Sequence, residues 1–298
     1  MSRTPPFGRF ITAMATPFGP DLELDLDRAQ EFAVNLVTRG NDALIIAGTT
    51  GESPTVSKAE KLDLFRAVLA ALLGKAPVIA NVGGNNTADS VAFAQEAEAL
   101  GVDGLMAVVP YYNKPPQEGL YQHFKAIAQA VDIPVILYNI PGRSVINMEA
   151  ATTLRLAYDF ENIVAVKEAS GNLTQIADIA SNAPEGFRVY SGDDETTVPL
   201  MGLGGYGVIA TIGNLTPERM KEIVDSMAEG EHTKALACHL KLQPLMKELF
   251  VTSNPIMLKA ALKLAGFSIG GVRLPLVDAT AAQIEKLEQV MQSVGVIE

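Results

Sequence analysis

The chain has 298 residues, of which 48% are hydrophobic and 19% charged, so it can bury a large core, and one barrel-sized domain with an appendage fits as well as two domains. A formal net charge of -11 opposes binding to nucleic acid or to an anionic membrane, so an anionic substrate needs a local positive site. Cys238 is the only cysteine, which excludes internal disulfides and a cysteine-rich metal cluster.

No early stretch combines a basic start, an apolar core and a small-residue cleavage site, and no uncharged apolar run reaches the roughly 18 residues of a membrane span. The expected location is the cytoplasm. For the same reason Asn172-Leu173-Thr174 is read as an incidental match to a glycosylation motif.

From residue 10 to about 230, short apolar runs alternate with longer segments of helical period. The runs are Phe10 to Pro17, Ala43 to Thr50, Val78 to Val82, Gly104 to Pro110, Val135 to Ile140, Ile163 to Ser170, Phe187 to Ser191 and Gly207 to Ile212. Near-continuous apolar strands suit a parallel sheet covered on both faces, and eight of them predict an α/β fold, a (β/α)8 TIM barrel. An open doubly wound sheet is the alternative. Helix starts are signalled by Ser57 with Glu60, a capping box, and by Thr216-Pro217-Glu218. After about residue 230 the strand pattern stops, and helices are expected over roughly 231 to 250, 255 to 265 and 280 to 294. The predicted organisation is a catalytic barrel over 1–230 and a C-terminal helical extension over 231–298, packed on it.

Lys167 ends the apolar run Ile163-Val164-Ala165-Val166, where an amine could act as a nucleophile. To attack a ketone it must be neutral, and burial is the way to lower a lysine from its reference pKa of about 10.4 to the range of about 7 to 8. Alternation puts Tyr138 on the same strand face as Ile136, which allows it to point into the barrel beside Lys167 and relay protons during imine formation. Thr50 could hold its hydroxyl. The segment Gly48-Thr49-Thr50-Gly51-Glu52-Ser53 reads as a carboxylate cradle, with hydroxyls and close backbone amides. Arg143, in the loop after the fifth run, suits a second carboxylate because a guanidinium binds it bidentately.

Other patterns carry less. Gly202-Leu203-Gly204-Gly205-Tyr206-Gly207 precedes a strand, where a dinucleotide fingerprint must follow one. Asp193-Asp194-Glu195 reads as a solvated or helix-capping charge run, and His123, His232 and His239 lack ligand spacing. Neither a metal nor another cofactor is expected.

With these residues in place, the chain resembles the dihydrodipicolinate synthase family, within the pyruvate-dependent lyase and aldolase superfamily that includes N-acetylneuraminate lyase. The resemblance covers nearly the whole chain. Its motifs are Gly48 to Ser53, Pro110 to Asn113 with Gln117 to Tyr121, Tyr138 to Arg143, Lys167 to Asn172 and Gly207 to Ile209. It implies a Schiff base between Lys167 and pyruvate, with Tyr138, Thr50 and Tyr112 as the proton relay. Thr49 and Thr50 would bind the pyruvate carboxylate, the backbone at Ile209 would shape the pocket, and Arg143 would receive the carboxylate of aspartate 4-semialdehyde. Tyr112 would come from a neighbouring subunit, which implies a homotetramer built as a dimer of dimers.

The resemblance also implies an effector site near Ser53, Asn85, Asp89 and Tyr111. Where feedback-inhibited relatives have histidines, this chain has Lys58 and Lys61, and two cations would repel an ammonium ligand. Weak or absent inhibition by lysine is the expectation. Met257 stands where the family usually has proline, a change expected to affect packing only. The competing enzymatic reading is another Schiff-base pyruvate aldolase or hydratase-aldolase acting on a sugar acid or aryl pyruvate, which Arg143 with Tyr111 and Tyr112 disfavours. A non-catalytic keto-acid-binding barrel is disfavoured by the intact set of hydroxyls, lysine and arginine.

Overall fold

The structure, a computed structural model, describes residues 6–298. Its eight strands follow one another in sequence order around a closed barrel. They are β1 (Phe10–Ala13), β2 (Ala43–Ile46), β3 (Val78–Asn81), β4 (Gly104–Val108), β5 (Val135–Asn139), β6 (Ile163–Glu168), β7 (Arg188–Ser191) and β8 (Gly207–Ala210). Each expected run holds one strand, and the closed barrel replaces the open-sheet alternative. Most strands stop before their run does, because polar residues such as Thr49, Thr50 and Ser170 leave the ladder as loops. Every residue of β1, β2, β3, β5, β6 and β8 is buried, as strands covered on both faces require.

By internal contacts the described chain divides into two compact units, 6–9 with Pro77–Ile209, and Phe10–Ala76 with Ala210–Glu298. In the first, β3 through β7 pair in parallel with their neighbours. Its core includes Ile79, Leu105, Leu137, Val166 and Val189 from the strands and Leu120, Phe124, Leu156 and Ile176 from the helices.

In the second unit, β1 pairs in parallel with β2. The helix Leu26–Thr38 is capped by Asp25, and the helix Lys58–Leu72 by the reciprocal Ser57–Glu60 box that the sequence signals. The helix Pro217–Ala228 begins where expected, but Thr216 makes no side-chain cap bond. The three C-terminal helices are His232–Glu248, Ile256–Leu264 and Ala281–Ser293, close to their expected limits. They bury Leu242, Leu245, Met246, Leu258, Leu287 and Met291, with Met257 also fully buried.

Candidate active site

Parallel pairing of β5 with β6 sets Tyr138 opposite Lys167 and Asn139 opposite Glu168. Alternation then gives the two pairs opposite faces. Lys167 is 5% exposed and Tyr138 3%, and Lys167 Nζ lies 4.4 Å from the centre of the Tyr138 ring. Gly192, after β7, leaves room for the lysine stem: a Cβ there would come within 3.1 Å of Lys167 Cγ and 2.7 Å of Ala169 Cβ.

Burial pushes the Lys167 amine down from 10.5 to about 8. The charges of Asp194 and Asp193 push it back up, and that of Arg143 pushes it further down. At neutral pH roughly one lysine in ten is then a free amine, against fewer than about one in a thousand at the reference value.

On the other face, the Glu168 carboxylate is held by neutral donors among the described residues. Its Oε1 accepts from Ser170 N at 2.8 Å and Asn139 Nδ2 at 3.2 Å, and its Oε2 from Gln175 Nε2 at 3.0 Å and Asn139 Nδ2 at 3.1 Å. Asn139 Oδ1 in turn accepts from Met148 N at 2.9 Å. This buried network ties the ends of β5 and β6 to the helix Leu173–Asn182 and so fixes the backbone that carries Tyr138 and Lys167. Sequence reasoning missed it, although Asn139 and Glu168 each sit one residue beyond a predicted catalytic residue.

After β2 the chain turns sharply. Ala47 and Glu52 both adopt left-handed conformations, at φ 56° and 55°, a strain of about 1 to 3 kcal/mol each that surrounding contacts must offset. Glu52 N donates to Thr49 O at 3.0 Å and Ser53 N to Gly48 O at 3.1 Å, while Thr16 Oγ1 donates to Gly51 O at 2.7 Å. Gly51 is packed tightly, since a Cβ would meet Thr16 Oγ1 at 3.0 Å and Met14 O at 3.1 Å. The buried Thr50 hydroxyl accepts from Asn254 Nδ2 at 2.9 Å and lies 3.4 Å from Thr211 Oγ1. Neither Thr211 nor Asn254 is singled out by the sequence. Thr49 is half-buried.

The remaining predicted residues differ widely in setting. Arg143 lies exposed in the single helical turn Pro141–Ser144 that follows β5, and Ile209 is buried within β8. Tyr112 is 88% exposed at φ 73°, and its neighbour Tyr111 is 39% exposed. Among the possible effector residues, Ser53 is half-buried and Lys58 and Asp89 are exposed, in the first turns of their helices. Lys61 is half-buried, and desolvation lowers its amine below the usual lysine range. Asn85 O accepts from Asn113 Nδ2 at 2.8 Å. Among the described residues no group of three or more His, Cys, Asp or Glu is disposed to hold a metal ion. No helix there is long and apolar enough to cross a membrane.

Comparison with known proteins finds relatives that match nearly the whole chain. The 4-hydroxy-tetrahydrodipicolinate synthase of Symbiobacterium thermophilum is 52% identical over 293 residues, covering 98% of this chain and 100% of the relative. That of Moorella thermoacetica is 54% identical over 291 residues, covering 98% and 99%. The crystal structure of DHDPS from Cyanidioschyzon merolae with lysine bound superposes with a TM-score of 0.96 at 45% identity, covering 98% and 99%. Residues 6–294 match the Dihydrodipicolinate synthetase family, and on that match and these near-full-length relatives the chain belongs to it.

Proposed function

We propose that this chain condenses pyruvate with aspartate 4-semialdehyde through a Schiff base on Lys167, giving 4-hydroxy-tetrahydrodipicolinate. The observation that carries the site assignment is the buried Lys167 amine, lowered to about 8 and held against Tyr138. Its neutral form attacks the pyruvate ketone, and water leaves as the imine forms. Loss of a methyl proton gives an enamine, whose carbon attacks the aldehyde of the second substrate. The amino group of that substrate then closes on the imine carbon and releases Lys167.

Each step before ring closure moves a proton, and Tyr138, Thr50 and Tyr112 are assigned to that relay. Thr49 and Thr50 hold the pyruvate carboxylate, the backbone at Ile209 lines the same pocket, and Arg143 receives the carboxylate of the semialdehyde. The exposure and left-handed backbone of Tyr112 support its use by a neighbouring copy, and with it a homotetramer built as a dimer of dimers. A biosynthetic enzyme of this kind is placed in the cytoplasm. Residues 231–298 serve as an extension of the barrel 1–230, and Lys58 and Lys61 weaken or abolish inhibition by lysine.

The test combines two measurements on the parent protein and Lys167→Ala. Borohydride reduction in the presence of pyruvate should leave a stable adduct at Lys167 in the parent alone, located by peptide mass. A coupled assay with dihydrodipicolinate reductase should show turnover of aspartate 4-semialdehyde. An adduct without turnover would move the activity to another pyruvate aldolase, and no adduct would remove the Schiff base.

A further inference from the structure

A threonine hydroxyl has one hydrogen to donate and lone pairs that accept, so its role in a proton relay depends on which neighbour fills which side. For Thr50 one side is filled by Asn254, whose Nδ2 donates to Oγ1 at 2.9 Å. Both side chains are buried, and the other end of the amide, Asn254 Oδ1, has no hydrogen-bond partner among the described residues. The donor end is the one in use. Thr211 Oγ1, at 3.4 Å, lies beyond the usual reach of a hydroxyl pair.

We infer that Asn254 is a positioning residue for the reaction: by donating to Thr50 Oγ1, it turns the threonine's own hydrogen away from the amide and fixes Thr50 as a donor towards its next partner. This rests on the assignment of Thr50 to the relay.

The geometry holds Asn254 to this task through a second link between the same two segments. Asn254 lies just before the helix Ile256–Leu264, and on that helix Lys259 Nζ meets Glu52 Oε1 at 2.7 Å, with side-chain exposures of 3% and 1%. Glu52 is two residues beyond Thr50, in the strained turn. Lys259 Nζ also donates to Gly271 O at 2.6 Å, and Arg273 N donates to Glu52 Oε2 at 2.9 Å. The helix and the turn are therefore joined at Asn254–Thr50 and again at Lys259–Glu52.

A double-mutant cycle tests the inference, with kcat and KM from the coupled assay and thermal unfolding of each variant. Asn254→Ala removes the donor. Asn254→Asp keeps the shape but can only accept when ionised, which draws the Thr50 hydrogen the wrong way. Both should lower kcat by roughly tenfold or more, the rate equivalent of one lost buried hydrogen bond, with a smaller rise in KM for pyruvate because Thr49 still holds the carboxylate. In a Thr50→Val background, which is itself slow, neither change should cost anything further, because the hydroxyl they act on is gone. Equal losses in both backgrounds, or an Asn254→Asp enzyme that folds and keeps its kcat, would overturn the inference while leaving Thr50 in the relay. A Thr50→Val enzyme as fast as the parent, with the adduct at Lys167 still formed, would remove Thr50 from the relay and the inference with it.

Discussion

Lys167 Nζ sits 4.4 Å from the centre of the Tyr138 ring, across the paired ends of β5 and β6. The ring face favours the ammonium form by about 0.5 to 2 kcal/mol, whereas burial disfavours it. Burial wins, leaving the amine at about 8. The pairing therefore holds in one place an amine that can lose its proton near neutrality and a phenol that can handle the protons of imine formation.

That balance makes Lys167 costly to the fold. Its pKa is about 8 in the folded chain against a reference of 10.5, so between those values the unfolded chain binds more protons and stability rises with pH. Below pH 8 the full burial cost is present, at most about 3 kcal/mol. Lys167→Met should therefore be more stable than the parent at pH 7 by up to that amount, while forming no pyruvate adduct. The gap should narrow as pH rises from 8 towards 10.5. Denaturant unfolding at pH 7 and 10 measures both, and a destabilised Lys167→Met at neutral pH would contradict the assigned cause.

Tyr138→Phe separates the hydroxyl from the ring. Phenylalanine keeps the aromatic face against Lys167, so stability should change by less than about 1 kcal/mol. The proposed proton relay loses its phenol, and kcat should fall by roughly a hundredfold or more, with slower adduct formation at Lys167. Unchanged adduct formation would move the relay away from Tyr138.

The barrel was legible because the strands are short and mostly apolar, and Lys167 stood out because a charge ending such a run needs a reason. The strands end before the apolar runs do, since Thr49, Thr50 and Ser170 prolong the runs as sequence but leave the ladder as loops. Ser57 with Glu60 forms its box because both partners lie within one turn. Asn254 was not legible as a partner of Thr50, because 204 residues separate them and only the closed fold brings them to 2.9 Å. The Asn139–Glu168–Gln175 network was not legible for a related reason: it lies on the strand face turned away from Lys167.

The buried Lys259–Glu52 pair should be intolerant of half-removal. Lys259→Met leaves the Glu52 carboxylate 1% exposed beside a vanished cation, and breaking such a pair costs about 3 to 5 kcal/mol. Glu52→Gln added to Lys259→Met should recover part of the loss by removing the unpaired charge. Urea unfolding of the two variants checks this, and a double variant no better than the single one would show that packing, and not charge, sets the cost.

Lys58 and Lys61 lie in the first turn of the helix Lys58–Leu72, and an ammonium effector approaching that helix meets like charges. Lysine should inhibit the coupled assay weakly or not at all. An inhibition constant below the millimolar range would show that the two side chains swing clear of the ligand.

Glu60 and Arg273 give the fold its clearest acid-sensitive link. The guanidinium clasps the carboxylate at 2.6 and 3.0 Å while also donating to Thr55 O at 2.9 Å and Leu22 O at 2.8 Å. The hydrogen bonds from Arg273, opposed by partial burial and helped by Ser57, hold the Glu60 carboxyl down at about 2, against a reference of 4.5. A depressed carboxyl stabilises the folded chain fully above 4.5 and loses that contribution as pH falls towards 2. Glu60→Gln keeps an acceptor for Ser57 N, so it removes the charge more than the cap. It should cost about 1 to 3 kcal/mol at pH 7, and nearly as much at pH 5. Below pH 4.5 the parent should lose its advantage, and the two unfolding curves should converge as pH approaches 2. A gap that stays constant down to pH 3 would mean that the guanidinium binds glutamine as well as glutamate, and that the charge contributes nothing to holding the turn.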